Sequence, residues 1–416
     1  MHMAKIIPLP IIIVIAAIAI VSCFVSATNG GDFDVYLDAA AKLKQGANIY
    51  RPPFVKGLQY YYSVFFALIL APFSSLVFVA EVIWLLLSYF LLYRTWKLAS
   101  GYFDLSALFV KKYRLWLGLT ALLALQFIMY NVAMIQVTVF LLWAIFETLN
   151  LIENKKTILA GLLLALAINI KIMPLLMLPY LFYKGHFKTI AAVVVFFIAL
   201  LYMPAVFVGV DYNNFLLAEW WAIINPANKE HVFETGIGMH SLTAMLPVYL
   251  TPTVGDMPYQ RNLLNLTVQQ VELVLNLARL FFLALSLVFF KSLPFKKEEN
   301  KLKEYWQMSY FLMLIPLLLP HQQKYAFLFV LPMVMYLLYY FILTYNTEKA
   351  KLYYVFLSLF IISMLFYSPL YGADVIGKFM FEYTQHYRVL TFATLSVIPI
   401  ALYFNPDKLQ KIASIK

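Results

Sequence analysis

The sequence predicts an all-α polytopic membrane protein of about twelve spans. Three observations carry that reading. Of the 416 residues, 63% are hydrophobic and only 12% are charged, roughly half the ~25% of soluble domains. Apolar stretches of about 15–24 residues recur along the chain, separated by short basic loops. Most of the excess behind the net charge of +11 lies in those loops, as the positive-inside rule requires. That placement removes the need for a nucleic-acid partner, and the lone Cys23 excludes an internal disulfide.

The basic loops thread the chain. Clusters at 94–114, 155–156, 184–188, 291–303, 349–351 and the tail at 408–416 are all expected on the cytoplasmic side. The spans then fall at 6–27, 76–96, 115–130, 132–150, 157–169, 172–184, 189–209, 267–290, 305–319, 326–345, 352–369 and 388–404, with both ends cytoplasmic and Lys5 preceding an uncleaved first span. Two segments are read against the simplest pattern. "YYYSVFFALILAPF" (60–73) offers roughly 20 Å of helix against a core of about 30 Å, so it dips rather than crosses. Residues 157–183 begin and end at basic loops, so they go out and return, breaking near Asn169, Lys171 and Pro174 because an interior proline interrupts a helix. The whole of 1–416 reads as one integral membrane domain. Its outer face collects a first loop (28–75), a long loop (211–266), a short loop (320–325) and 370–387.

That outer face holds the chemistry-capable residues. Asp32, Asp34 and Asp38 follow the first span. Glu219, Glu230, His231, Glu234, His240 and Asp256 lie in the long loop, His321 and Lys324 in "PHQQKY", and Lys171 at the helical break. Tyr36, Tyr50, Tyr60, Tyr61, Tyr62, Trp220 and Trp221 crowd among them, either as an interfacial belt or as contacts for a ligand. After the turn Asn29-Gly30-Gly31, the run "DFDVYLDAAAKLKQG" predicts a short amphipathic helix with Phe33, Tyr36, Ala40 and Leu43 on one face, ended by Gly46. Asp32 or Asp34 would be its N-cap, and Asp38 would pair with Lys42 one turn on. Three neighbouring carboxylates can also gather a divalent ion, but hard-cation sites usually draw on several segments, and His231 and His240 lack zinc-like spacing. No metal or other cofactor is expected.

A frame D-F-x-x-Y-x-x-A-A-x-x-L-x-x-G-x-x-x-Y after a first span, here Asp32-Phe33, Tyr36, Ala39-Ala40, Leu43, Gly46 and Tyr50, resembles glycosyltransferase family 87 of the GT-C superfamily. "QYYYSVFFALILAPFSSL" resembles that family's Y-P-P segment, with Tyr62-Ser63 in place of Pro-Pro. "MIQVTVFLL" resembles its G-Q-x-N segment through Gln136. "GIGMHSLTAML" resembles its N-Q-S-L element, keeping Ser241-Leu242 and carrying Met239-His240 where the amides would be. The resemblance implies a GT-C-like bundle with outer-face loops and a dipping helix. It implies an inverting transferase that moves a hexose, mannose by preference, from a polyprenyl-phosphate donor to a glycolipid or glycan acceptor at the outer face of the cell membrane. The aspartate of the D-F pair, Asp32, becomes the general base, with Asp34 as rival base or acceptor ligand.

Chemistry agrees with that implication. A phosphate leaving group needs cations rather than a general acid, and the acceptor hydroxyl needs one base. Lys171, His321 and Lys324 are the candidates for the phosphate. For each there is a plainer reading: snorkelling for Lys171, a hydrogen-bonded loop histidine for His321. Tyr36, Tyr61, Gln136, Trp220 and His240 are the candidates for contacting acceptor and sugar. A lipid-linked-oligosaccharide flippase would instead line a mid-span path with charge, and a glycan polymerase or ligase would rely on outer-loop arginines, which are few here.

Overall fold

A computed structural model describes residues 9–226, 228, 233–234, 236–255, 257–296, 298–345, 347 and 350–414. Lys5, Glu230, His231 and Asp256 lie outside the described residues, and the side chains of 411–414 are not described. The described residues are helical throughout, with no strand. They form two compact units, Met1–Leu98 with Met129–Asn228, and Ala99–Ile128 with Lys229–Lys416.

The first unit begins with α1 (Leu9–Asn29), whose aliphatic run leaves nearly every side chain on the surface, as a lipid-facing span does. Gly30 (φ +64°) turns the chain into α2 (Phe33–Lys44). That helix buries Phe33, Tyr36, Leu37, Ala40 and Leu43 and ends at Gly46 (φ +69°). Asp38 pairs with Lys42 at 2.9 Å. Next, α3 (Val64–Leu70) starts on Ser63, which accepts the Phe66 amide, and tightens into one 3₁₀ turn at Ala71–Phe73. Ten residues make about 15 Å of helix, too short to cross, and α3 packs on α2 instead. The long α4 (Val77–Ser100) follows; α5 (Val110–Ala133) lies mostly in the second unit, its end from Met129 returning to the first, which continues with α6 (Thr138–Glu153). Between α7 (Thr157–Ile170) and α8 (Met177–Tyr183) the helix breaks at Lys171, which is extended (φ −150°, ψ 132°), before a 3₁₀ turn carrying Pro174. α7 lies against α9 (Phe187–Tyr202).

The 211–266 stretch is not an extended loop. It holds α11 (Val210–Ile224) after the single turn α10 (Ala205–Val208), and α12 (Leu242–Leu250). The apolar spacing of "FLLAEWWAII" buries one face, so adjacent Trp220 and Trp221 part company at 5% and 58% exposure.

In the second unit α13 (Val268–Phe290) opens with a capping box between Thr267 and Gln270. α14 (Lys301–Leu318) is capped by Asn300 and fully buried from Tyr305 onward. A 3₁₀ stretch, Lys324–Val330, leads into α15 (Leu331–Thr344), which is buried along almost all its length. α16 (Lys351–Leu365) packs on α19 (Val389–Tyr403), with the short α17 (Ala373–Ile376) and α18 (Lys378–His386) between them in sequence and α20 (Pro406–Ser414) closing the chain.

Helices occupy most of each of the twelve expected spans, but among the described residues six helices are long and apolar enough to cross: Leu9–Asn29, Val77–Ser100, Val110–Ala133, Phe187–Val208, Val268–Phe290 and Lys324–Thr344. The others fall short because Lys171 and Pro174 divide one apolar run, because charged residues occupy the start of α14, or because the helix is only 15 or 16 residues long, as in α6, α16 and α19. The protein is membrane-embedded.

One close approach joins the first loop to the α5–α6 turn. A Cβ on Gly31 would fall 2.6 Å from the carbonyl of Met134, whose oxygen accepts the Asp32 amide at 2.8 Å. Gly31→Ala is therefore expected to destabilise by about 1–3 kcal/mol through overpacking, whereas Gly118→Ala, where a Cβ meets nothing within 4 Å, leaves the melting temperature unchanged or higher. Thermal unfolding of the two detergent-solubilised variants checks the contrast.

Candidate active site

Asp32 occupies the N-cap position of α2, yet its carboxylate does not bond the helix amides. It accepts a short hydrogen bond from Gln136 Nε2 instead. The capping role open to Asp32 in the sequence is thus not taken up. Gln136 sits in the tight turn between α5 and α6, next to Ile135 (φ +48°), a left-handed conformation that a β-branched residue adopts only under strain. Its amide donates to Asn131 at 2.9 Å, and Trp84 Nε1 donates to its carbonyl at 3.2 Å. The side-chain amide is oriented from its far end as well. Tyr36 Oη lies 3.4 Å from Gln136 Oε1 and 2.5 Å from Tyr62 Oη. Asp32, Gln136, Tyr36 and Tyr62 form one chain of hydrogen bonds, with the Lys171 ammonium 5.4 Å from the centre of the Tyr62 ring.

Burial pushes the Asp32 carboxyl above its usual range. The Lys171 charge opposes that most strongly, followed by the Gln136 bond and Lys56, while Asp34 adds to the rise. A half-buried carboxylate with raised basicity beside a cation is suited to take a proton from a hydroxyl.

Asp34 is engaged differently. Lys56 holds its Oδ2 at 2.6 Å, and Gly30 packs its backbone against the same oxygen. Glu81, in α4 and 1% exposed, lies close enough to interact with both Asp34 and Lys56. Sequence reasoning passed over Glu81, although the one carboxylate in the apolar run "VFVAEVIWLLLSYF" is the kind of signal that marks function or pairing in a membrane helix. Nothing in the sequence singled out Lys56.

Aromatic candidates gather beside this cluster. Trp220 Nε1 donates to the carbonyl of Tyr61 at 3.2 Å. On the same helix, Glu219 takes Arg51 at 2.6 Å and Asn48 at 3.1 Å, and Tyr212 Oη donates to Ala47 at 2.5 Å. Four bonds thus lay α11 over the loop that follows α2.

The remaining candidates belong to the second unit. Glu234 Oε1 accepts the His321 amide at 2.6 Å and its Nδ1 at 2.7 Å. Oε2 accepts Thr243 at 2.8 Å and Ser241 at 3.3 Å. Burial raises the Glu234 carboxyl, but the His321 and Thr243 bonds outweigh it and the group lies below its usual range. His240 is wholly buried, its amide on the Gln322 carbonyl at 2.8 Å and its ring edge-on to Phe327. Burial, with the charges of Arg388 and Lys324, pushes its imidazole down to about 3. Lys324 lies over the rings of Phe381 and Tyr371 at 5.4 and 5.8 Å. Buried Arg388 donates to the Gly236 carbonyl at 3.0 Å. Nothing in the sequence singled out this arginine, which immediately precedes α19 in "HYRVL". Among the described residues, no three His, Cys, Asp or Glu side chains are grouped to hold a metal ion.

The Asp34–Lys56–Glu81 group makes a testable unit, because Lys56 pairs with Asp34 and its charge also reaches Glu81. Lys56→Met is expected to destabilise by about 1–3 kcal/mol, between the values for exposed and buried pairs since Lys56 is partly exposed. Adding Glu81→Gln recovers part of that loss by removing one of the two opposed charges. Chemical unfolding of the single and double variants at neutral pH reads both effects.

A family model described as glycosyltransferase family 87 matches residues 60–294. The matched stretch contains Tyr61, Glu81, Gln136, Lys171, Trp220, Glu234 and His240, while Asp32, His321 and Lys324 lie outside it. No curated protein and no solved structure matches the chain. With more than half of its residues matched, this membrane-embedded chain belongs to glycosyltransferase family 87.

Proposed function

We propose that the protein is an inverting glycosyltransferase that moves a hexose, mannose as the first choice, from a polyprenyl-phosphate donor to a glycolipid or glycan acceptor. The reaction takes place at the outer face of the cell membrane, with both termini cytoplasmic. The observation that carries this reading is the Asp32 carboxylate, held by Gln136 at the start of α2 with Lys171 beside it. The first loop emerges directly from α1, so a base at that point meets a lipid phosphate whose tail stays in the bilayer.

In this mechanism Asp32 removes the acceptor hydroxyl proton as its oxygen attacks the anomeric carbon on the face opposite the phosphate. The bond from that carbon to the phosphate oxygen breaks through an oxocarbenium-like transition state, and the phosphate departs with the electron pair. No acid is required to protonate such a weakly basic leaving group. Lys171, with His321 and Lys324, compensates the charge that grows on it. Inversion converts a β-linked donor into an α-linked product. Asp34, whose Oδ2 is held by Lys56 at 2.6 Å, is assigned to holding the loop. Tyr36, Tyr61, Trp220 and His240 are assigned to acceptor and sugar contact, with Gln136 orienting the base. No metal or other cofactor takes part.

The test is sugar transfer by purified protein in lipid vesicles, supplied with polyprenyl-phosphate mannose and a cell-envelope lipid extract as acceptor. Asp32→Asn is expected to lower kcat by about 10²–10⁴-fold, the range for losing a general base, with donor binding retained. Asp34→Asn is expected to lower it far less. If Asp34→Asn proves the dead variant, the base is reassigned. If wild type transfers nothing from any polyprenyl-phosphate sugar, the transferase reading of the donor fails and a lipid-linked-glycan transporter takes its place.

The pH profile supplies a second test. Asp32 acts as its anion, and its folded-state pKa is raised, so kcat/KM should climb with pH through a value above the ordinary carboxylate range of about 3.9. Lys171→Met removes the neighbour that most favours the anion, and the acidic limb should then move to still higher pH. A limb that stays in place on this substitution separates Lys171 from the base.

A further inference from the structure

The Glu234–His321 contact is more elaborate than a loop anchor requires. One carboxylate oxygen takes both the backbone amide of His321 and its ring Nδ1, at 2.6 and 2.7 Å. The other oxygen is occupied by Thr243 at 2.8 Å and Ser241 at 3.3 Å, so the carboxylate cannot swing away without losing bonds on both sides. His321 itself stands at φ +56°, a left-handed conformation that a non-glycine side chain disfavours. The two bonds to Glu234 oppose that strain. Exposure is divided in a telling way: the Glu234 side chain keeps 5% of its surface and the His321 side chain 28%. The carboxylate is the buried side of the pair and the imidazole the presented side.

With Nδ1 turned to the carboxylate, the ring's other polar atom, Nε2, is directed away from it. A doubly protonated ring held this way donates Nδ1–H to Glu234 and Nε2–H to an anion, the geometry of a carboxylate-supported imidazole. Lys324 follows three residues later with aromatic rings beneath its ammonium and no carboxylate in ion-pair contact with it among the described residues. We infer that Glu234 is a positioning residue for donor binding, fixing the direction of the His321 ring so that Nε2 of the doubly protonated form meets the phosphate of the lipid donor. This rests on the assignment of His321 to the donor phosphate.

The test uses polyprenyl monophosphate, the product-side form of the donor, titrated against the full-length protein in nanodiscs. His321→Asn is expected to weaken binding about tenfold, the loss of one charge-assisted hydrogen bond. Glu234→Gln should weaken it by about five- to tenfold on the same scale, and add nothing further when His321 is already Asn, because it acts only through the ring. In transfer assays Glu234→Gln should raise the donor KM and leave the acceptor KM unchanged, a split that a general loosening of the fold would not produce. Where Glu234→Gln lowers the melting temperature enough to obscure binding, Thr243→Val gives the same comparison, since it loosens the carboxylate without touching His321. Equal losses from Glu234→Gln with and without His321 overturn the positioning role alone, as does an unchanged affinity in Glu234→Gln beside a weakened His321→Asn. An unchanged affinity in His321→Asn overturns the donor assignment of His321, and the inference falls with it.

Discussion

A half-buried carboxylate at the mouth of a membrane helix is tolerable only when something donates to it, and for Asp32 that donor is the Gln136 amide. The bond joins two stretches more than a hundred residues apart in sequence, and much of the local architecture serves it. Gly31 must lack a side chain so that the first loop can lie on the Met134 carbonyl. Ile135 accepts a strained left-handed backbone so that Gln136 can face inward. Trp84 and Tyr36 then bond the two ends of the same residue, one at its carbonyl and one at its side-chain oxygen. Removing any of these supports leaves a desolvated anion poorly held, which is why the neighbourhood is rich in hydrogen bonds within an otherwise apolar chain.

Charge is handled throughout by local compensation. Lys171 faces Asp32, Lys56 takes Asp34, Arg51 takes Glu219, and His321 takes Glu234. In a chain with so few ionised groups, these charges are drawn to partners because an unpaired charge in low dielectric is expensive. The effect on reactivity differs between sites. Asp34 is bound directly by its lysine. Asp32 has its cation farther off, so burial remains the larger influence and its affinity for a proton rises. Two aspartates only two residues apart thereby meet different surroundings, an amide for Asp32 and a lysine for Asp34.

Much of this was legible before any coordinates. The membrane class, the amphipathic α2 with its stop at Gly46, the Asp38–Lys42 pair, the short helix at 60–73 and the break at Lys171 all follow from spacing, glycine and proline, and the length of helix a bilayer demands. The same reasoning went astray where helices were shorter than their hydrophobic runs or hidden in polar surroundings. Stretch 211–266 reads as a loop because of its prolines and charges, yet the apolar face of "FLLAEWWAII" finds a surface to cover and becomes α11. Asp32 was open to an N-cap role because position and residue type suit it, and only the Gln136 contact draws its carboxylate elsewhere.

The sequence by itself determined that the chain is a helical membrane protein, that α2 stops at Gly46 and the 157–183 run breaks at Lys171, and that carboxylates follow the first span. Those properties are local: they depend on hydropathy over a window, on backbone preferences, and on charge in short loops. Tertiary structure alone decided which carboxylate has an amide and which has a lysine, that Glu81 faces Asp34, and that Glu234 grips His321. Such pairings join residues that chain spacing does not relate, and burial, which sets whether a carboxylate is basic or inert, exists only once the helices have packed.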